Sequence, residues 1–542
     1  MEPEIRSLVE ISDSKAALQS HADQVLERAR WAASVFQRLD RETTLRIVDA
    51  VADAAHAHAG RLAELAVEET GFGVVEHKKL KNELTARPIV DHYRDQDFVN
   101  PVVDPGRKMV QVPRPAGVVL ALTPSTNPIA TVNFKVLLTL MTRNAVVISP
   151  HPAARACCVD AVQMLAAAAR EAGAPDGCIQ VIERPSIPLI EEFMGSPKTS
   201  VILATGGTAM VRSAYSSSNP AIGVGPGNAP VYVDSSADLT QAARNVVKSK
   251  SFDNSILCTN ESVLITLPEA DKKLRTALKQ AGAYLCEADE VALLRRYLFH
   301  DRGFNVAAIG RDATWIAQEC GIRVPNNTKI LVAPVEQLGV EERLTREKLC
   351  PVLSYYVAKN RTQALAQARG VLRLTGAGHS AAVHAEDTQV VMDYARAVEA
   401  YRVVVNAPCS QGAAGFQTHL APTFTIGTGY FGRSSVGENI GPHHLVHWTR
   451  IAYNSDDSVR FGDYDSLDLG FDGPLPRAPA GGVPGEGRVS TPAARSAHRQ
   501  AGRQGRPSGG GGARSSTLDD ETRAELRRMI AEEIRNAIKG DR

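Results

Sequence analysis

No apolar run in this 542-residue sequence reaches the roughly 18 to 20 residues that a membrane-spanning helix needs, so no membrane partner is expected. Charge of one sign is not in excess either. Lys and Arg total 61 against 60 Asp and Glu, a formal net charge of +1, which argues against an electrostatic grip on nucleic acid or on a lipid surface. The opening stretch "MEPEIRSLVEISD" is acidic and lacks an apolar centre, so a secretory signal is not expected. No C-x-x-C pair and no Cys/His cluster of zinc spacing is present, so no metal is expected. The eight cysteines are scattered: Cys157, Cys158, Cys178, Cys258, Cys286, Cys320, Cys350 and Cys409. Unpaired thiols without an export signal imply a reducing cytoplasm, and the ordinary role for each is a small buried hydrophobe.

What is present is ordinary globular material, with 44% hydrophobic and 22% charged residues, in a chain too long for one compact core. Residues 20–70 repeat apolar positions at three and four, the helical period. From 115 the texture changes to short Val- and Ile-rich runs: "AGVVLALT" (116–123), "NAVVISP" (144–150), "CIQVI" (178–182), "TSVILAT" (199–205) and "APVYVD" (229–234). Helical stretches at 131–143 and 153–172 separate them. That alternation predicts an α/β fold with a parallel sheet covered on both faces. A second α/β region is expected beyond a boundary near 230, with helices at 238–250 and 269–281 and strands at 262–266, 329–332 and 352–357. The run "RVVVNAP" (402–408) and the Gly-rich 410–442 are expected to return to the first domain.

After about residue 472 the sequence is Pro, Gly, Ala, Ser and Arg with almost no large apolar residue, which predicts a disordered linker over 472–516. "TLDDETRAELRRMIAEEIRNAIKG" (517–540) then carries helix signals. Thr517 and Asp520 approximate a capping box, Gly540 is a stop, and Leu518, Leu526, Met529, Ile530, Ile534 and Ile538 share one face. An isolated helix of this length is marginal unless its apolar stripe finds a partner, either on the same enzyme or on another protein.

Several short stretches suit chemistry. "SFDNSILCTNES" (251–262) surrounds Cys258 with small and polar neighbours. "LTPSTNPIA" (122–130) follows a strand and puts Asn127 on a loop before a helix, where locally it serves equally as an N-cap. "ATGGTAM" (204–210) places Gly206 and Gly207 where backbone N–H groups can approach a phosphate. Glu347 precedes a strand in "EKLCPVL" (347–353). His379 in "GAGHS" and the pair His443/His444 lack acidic or thiol companions at ligand spacing and read as structural. "GTGYFG" (427–432) fits G-x-G-x-x-G, but no strand–helix–strand unit follows it, so it is not read as a dinucleotide loop.

Taken in order, "TPSTNP", "SPHP", "TGG", "GVGPGN", the cysteine loop, "EKLCPVL", "GAGHS", "NAPCSQG" and "GRSSVGENIGPHHL" resemble the aldehyde dehydrogenase superfamily, and within it the coenzyme A-acylating branch, over roughly residues 20–460. The resemblance implies an NAD-binding Rossmann-type domain over 1–229, completed by 406–442, and a catalytic α/β domain over 230–405. An oligomerisation strand would lie in 443–471, within "LVHWTRIAYN", and so imply a homo-oligomer. Cys258 would be the nucleophile, forming a thiohemiacetal and then a thioester, with Asn127 in the oxyanion hole. Thr123, Pro124, Ser149, His151, Gly206, Gly207 and Glu347 would bind the cofactor, Glu347 through the nicotinamide ribose. Hydrolytic relatives carry a water-activating glutamate where this sequence reads "GVGPGN". A thiol of pKa about 8.5 ionises far more readily than water, so the resemblance implies NAD and coenzyme A as co-substrates for a short aldehyde, acetaldehyde or propionaldehyde. The alternatives are a hydrolytic enzyme releasing free acid and a non-catalytic scaffold. The linker and terminal helix resemble encapsulation peptides, implying a microcompartment shell protein as partner of 517–540 and a microcompartment lumen as the location.

Overall fold

The computed structural model of the protein describes residues 14–300 and 303–465. The expected linker over 472–516 and helix over 517–540 lie outside the described residues. Those described belong to one compact unit. Among them, no helix is long and apolar enough to cross a membrane.

Two parallel sheets organise the chain. The first has five strands in the order Ile179–Val181, Ala145–Pro150, Val118–Thr123, Val201–Thr205 and Ala221–Val224, all parallel. The Val/Ile runs form these strands because both faces are covered: every residue of Val118–Thr123 and Ala145–Pro150 is buried. Chain order reverses between Val118–Thr123 and Val201–Thr205, and such a switch point opens a crevice beyond the carboxyl ends of the strands. The second sheet has seven parallel strands, ordered Ala283–Leu285, Ile330–Pro334, Val352–Val357, Glu261–Thr266, Ala229–Val233, Ala381–His384 and Val403–Val405.

The helical region begins with Lys15–Phe36, Arg41–Ala57 and Ala59–Thr70. Asp40 caps the second through Thr43 N–H at 2.7 Å, and Gly71 ends the third in a left-handed turn at φ 68°. Their apolar faces (Leu26, Phe36, Ile47, Val51, Leu62) pack into the core of the first sheet. Two further helices, Val75–Leu84 and Arg87–Tyr93, were not expected from the sequence. A three-stranded antiparallel sheet joins Val102–Asp104, Met109–Pro115 and Val446–Ala452, the last an edge strand exposed along most of its length.

One expectation fails. The run 402–408 does not return to the first sheet: Val403–Val405 pairs in parallel with Ala381–Val383 as the edge of the second. Its apolar character marks a strand but carries no label for its neighbour, and the neighbour is the nearer strand in sequence. The following segment divides, with Cys409 and Ala413 in the second sheet's core and Ile440 and Leu445 in the first.

Candidate active site

The carboxyl ends of the first sheet and the amino ends of the second enclose a cavity of about 560 Å³. Thr123 enters it from the end of strand Val118–Thr123 and Pro124 and Asn127 from the loop after it; Ser149 comes from the end of strand Ala145–Pro150 and His151 from the turn that follows. Gly206 and Gly207 arrive from the loop after Val201–Thr205. The second sheet supplies Cys258 ahead of Glu261–Thr266 and Glu347 ahead of Val352–Val357. All nine residues singled out in the sequence therefore line one cavity.

Cys258 differs from the other seven cysteines, which are all buried; it alone is partly exposed. Burial of the sulfur environment, followed by the nearby Glu347 carboxylate, pushes its thiol up to about 12, while its own backbone N–H and the Arg402 guanidinium pull the other way. The loop around it is fastened on both sides: Thr259 Oγ1 donates to the Ser410 carbonyl at 2.8 Å and Asn260 Nδ2 to the Ser249 carbonyl at 2.7 Å.

Asn127 occupies the N-cap position of the helix Pro128–Met141, but its side chain makes no capping bond. The capping role that its local sequence allows is thus not used. Its Oδ1 instead accepts from Lys81 Nζ, and its Nδ2 donates to Thr126 Oγ1 at 3.3 Å. Behind it, the buried Lys135 of the same helix donates to the carbonyls of Leu122 at 2.7 Å and Leu203 at 2.8 Å, tying together the two strands that flank the switch point.

Glu347 is the only carboxylate lining the cavity among the described residues. Burial pushes it up to about 8, against the pull of the Gly227 N–H, which donates to its Oε1 at 3.1 Å. Gly206 and Gly207 precede the helix Thr208–Tyr215, with Gly207 at its N-cap. A Cβ on Gly207 would meet nothing within 4 Å, so the space beside it at the helix start is open to a phosphate, while the Gly206 N–H donates to the Val224 carbonyl at 3.4 Å. Ser149 is buried, and His151 uses Nδ1 to accept from Ala153 N–H at 3.1 Å. These residues fit a dinucleotide whose diphosphate meets backbone N–H groups rather than a side-chain cation, since no Lys or Arg lines the cavity among the described residues.

Sequence reasoning missed four contributors. Lys78, Lys81 and Asp253 form a buried cluster behind Asn127. Two lysines three apart, with Asn82 on the same buried face of the helix, were the available signal. Arg402 is buried and gathers the glycine-rich loops: it donates to the carbonyls of Gly378 at 2.6 Å, His379 at 2.7 Å and Gly437 at 3.0 Å, and also to that of Gly427. Within that web "GTGYFG" is a turn that ends in the short exposed helix Tyr430–Gly432, not the start of a nucleotide-binding unit. A further correction concerns His443 and His444, which do have an acidic companion in space. Glu438 Oε1 lies 3.4 Å and 3.2 Å from their Nε2 atoms, with the three ligand atoms within 4.8 Å of one another, in a group that does not line the cavity.

The family model described as "Aldehyde dehydrogenase family" matches residues 7–287. The chain is 36% identical over 446 residues to an aldehyde-alcohol dehydrogenase of Clostridium acetobutylicum, covering 81% of this chain and 51% of that one. It thus spans about half the length of that bifunctionally named relative. It is 34% identical over 432 residues to a succinate-semialdehyde dehydrogenase (acetylating) of Clostridium kluyveri, covering 79% of this chain and 95% of the relative. Among solved structures, an acetylating aldehyde dehydrogenase from Geobacillus thermoglucosidasius matches with a TM-score of 0.80 at 36% identity, over 83% of this chain and 99% of that one. A propionaldehyde dehydrogenase from a fucose-utilisation bacterial microcompartment of Clostridium phytofermentans matches at 0.74 and 28%, over 81% and 98%. A Rhodopseudomonas palustris propionaldehyde dehydrogenase, with bound CoA and an acylated cysteine, matches at 0.73 and 28%, over 80% and 97%.

Proposed function

The chain belongs to the aldehyde dehydrogenase family, and from that premise we propose that it oxidises a short-chain aldehyde with NAD and passes the acyl group through Cys258 to coenzyme A. One observation carries the reading: the one partly exposed cysteine shares a cavity with Asn127, whose amide carbon–oxygen end is held away by a lysine. The Cys258 thiolate adds to the aldehyde carbon, and the carbonyl oxygen gains negative charge opposite the Asn127 Nδ2 and the Cys258 backbone N–H. Such donors act on the transition state because charge develops there. A bound nicotinamide would supply the hydride acceptor for oxidation of the Cys258 thiohemiacetal to the thioester. Gly206 and Gly207 would hold the diphosphate and Glu347 the ribose. The acyl group then leaves to the thiol of coenzyme A, so that aldehyde, NAD⁺ and CoA give acyl-CoA, NADH and a proton. The bound CoA and acylated cysteine in the Rhodopseudomonas palustris structure support this assignment.

Hydrolysis to free acid needs a base in the cavity, and Glu347, which burial pushes up to about 8, is the only carboxylate that lines it among the described residues. Its bond to the Gly227 N–H supports the ribose-binding role instead. Mass spectrometry of the Cys258 peptide after aldehyde and NAD⁺ tests the proposal. An acyl adduct that CoA discharges as acyl-CoA supports it; an adduct that water clears equally fast, or no adduct, overturns it.

The exposed edge of Val446–Ala452 supports pairing of subunits into a homo-oligomer. The amphipathic pattern of 517–540 behind a polar linker, together with likeness to a microcompartment enzyme, supports cargo loading through a shell protein into a cytoplasmic microcompartment lumen. Removal of 475–542 should leave turnover intact and abolish co-sedimentation with shells; retained co-sedimentation refutes this address.

A further inference from the structure

We propose that Lys81, paired with Asp253, is a positioning residue that fixes the side-chain amide of Asn127 so that its N–H faces the reacting carbonyl. The proposal rests on the reading of Asn127 as an oxyanion donor and names what makes it one.

The helix Val75–Leu84 carries Lys78 and Lys81 one turn apart, each with a side chain only 3% exposed. Both converge on the Asp253 carboxylate, which is wholly buried: Lys78 Nζ lies 3.3 Å from Oδ2 and Lys81 Nζ binds the same oxygen. The other oxygen, Oδ1, accepts from the Val74 N–H at 2.7 Å. Each ammonium then reaches past the aspartate to the loop on the opposite side of the site. Lys78 donates to the Thr126 carbonyl at 3.1 Å, and Lys81 donates to Asn127 Oδ1. One helix face thus fastens the loop that carries Asn127 to the loop that carries Cys258.

An ammonium group has three donors and no acceptor, so it can satisfy only the oxygen end of an amide. An asparagine side chain is otherwise close to symmetric, and its two orientations are distinguished only by the groups around it. With Oδ1 held by Lys81 and one Nδ2 proton directed to Thr126 Oγ1, the remaining Nδ2 proton is left for the cavity. The flipped amide would turn its N–H₂ toward a buried cation and its oxygen toward a developing oxyanion, which is unfavourable at both ends.

The nucleophile loop bears the cost of this arrangement. Asp253, Asn254 and Ser255 adopt φ of 50°, 51° and 62°, three successive non-glycine residues in the left-handed region, immediately before the "ILC" that ends at Cys258. Such strain persists only where surrounding contacts over-determine it. The contacts are visible: Asp253 N–H donates to His77 Nδ1 at 2.9 Å, and Asn254 Nδ2 to the Gly310 carbonyl at 2.8 Å. Gly73 stands against the carboxylate, where any Cβ would fall 2.1 Å from Asp253 Oδ1.

A double-mutant cycle on the full chain separates this role from simple bracing. Lys81→Met should lower kcat by about 30- to 100-fold with KM for aldehyde changed less than about threefold, and Asn127→Ala by about 10²- to 10³-fold. The double variant should be no more than about threefold slower than Asn127→Ala alone, because both changes remove one interaction. Lys81→Gln, which keeps an N–H donor but not the ion pair, should recover kcat to within about tenfold of the parent, and it replaces Lys81→Met in the cycle if that variant does not fold. Losses that multiply in the double variant, a Lys81→Met enzyme within threefold of the parent, or a Lys81→Gln enzyme no better than Lys81→Met overturns the proposal. If Asn127→Ala itself keeps the parental kcat, the reading of Asn127 fails; if only the Lys81 variants keep it, that reading stands and this inference falls.

Discussion

Gly227 presses against Cys258 so closely that a Cβ placed on it would fall 1.9 Å from the cysteine's carbonyl oxygen. The obstructing atom is backbone and cannot rotate aside. The Gly227 N–H also donates to Glu347, so the turn between the two sheets, the thiol loop and the cavity's carboxylate brace one another. Gly227→Ala is expected to displace the thiol loop, lowering kcat at least tenfold and costing about 1–3 kcal/mol of stability in urea unfolding. Gly225→Ala is the contrast: its Cβ would meet nothing within 4 Å, and stability should change by less than about 0.5 kcal/mol.

The elevated Cys258 thiol predicts slow alkylation of the free enzyme at neutral pH. Only the thiolate reacts, so the rate with iodoacetamide should climb about tenfold per pH unit from 7 to 9, with a single modified site because the other cysteines are buried. Glu347→Gln removes a charge that adds to burial in holding the thiol up and that develops only as pH passes about 8, so it should speed labelling at pH 9 more than at pH 7. Peptide mapping with timed quenching reads both effects; a plateau below pH 8 would contradict the assignment.

Glu261, which does not line the cavity, supplies a stability test. It is fully buried, its Oε1 accepts from the Cys409 N–H at 3.0 Å, and burial pushes it from an ordinary 4.5 up to about 7. A carboxyl raised in the folded state keeps a proton that the unfolded chain has already released, so its contribution falls as pH rises from about 4.5 to about 7 and is constant above. At about 1.4 kcal/mol per pKa unit the full change is about 3 kcal/mol. Glu261→Gln should therefore gain stability relative to the parent between pH 5 and pH 8, measured by urea unfolding at both. A pH-independent difference would show that Glu261 does not titrate in this way.

Strands buried on both faces were plain in the sequence because they are continuous Val/Ile runs, and nine residues that line one cavity were singled out because motifs follow one another in order. What stayed hidden depends on partners distant along the chain. Val403–Val405 reads as a strand, yet its place beside Ala381–Val383 is a pairing that no local pattern encodes. The helix Val75–Leu84 was overlooked because Lys78 and Lys81 occupy the face that an amphipathic pattern reserves for apolar residues. Their reason for being there, Asp253, lies 175 and 172 residues away. Arg402 is similar: a cation held by backbone carbonyls leaves no acidic partner for a sequence to display.

The most direct test is pre-steady-state NADH formation with coenzyme A present or omitted. Without CoA, thioester formed on Cys258 has no efficient acceptor, so a burst of about one NADH per active site should be followed by near arrest. With CoA, turnover should continue and yield acyl-CoA in step with NADH. Continuous NADH production at the same rate without CoA, with free acid as the product, would contradict the account.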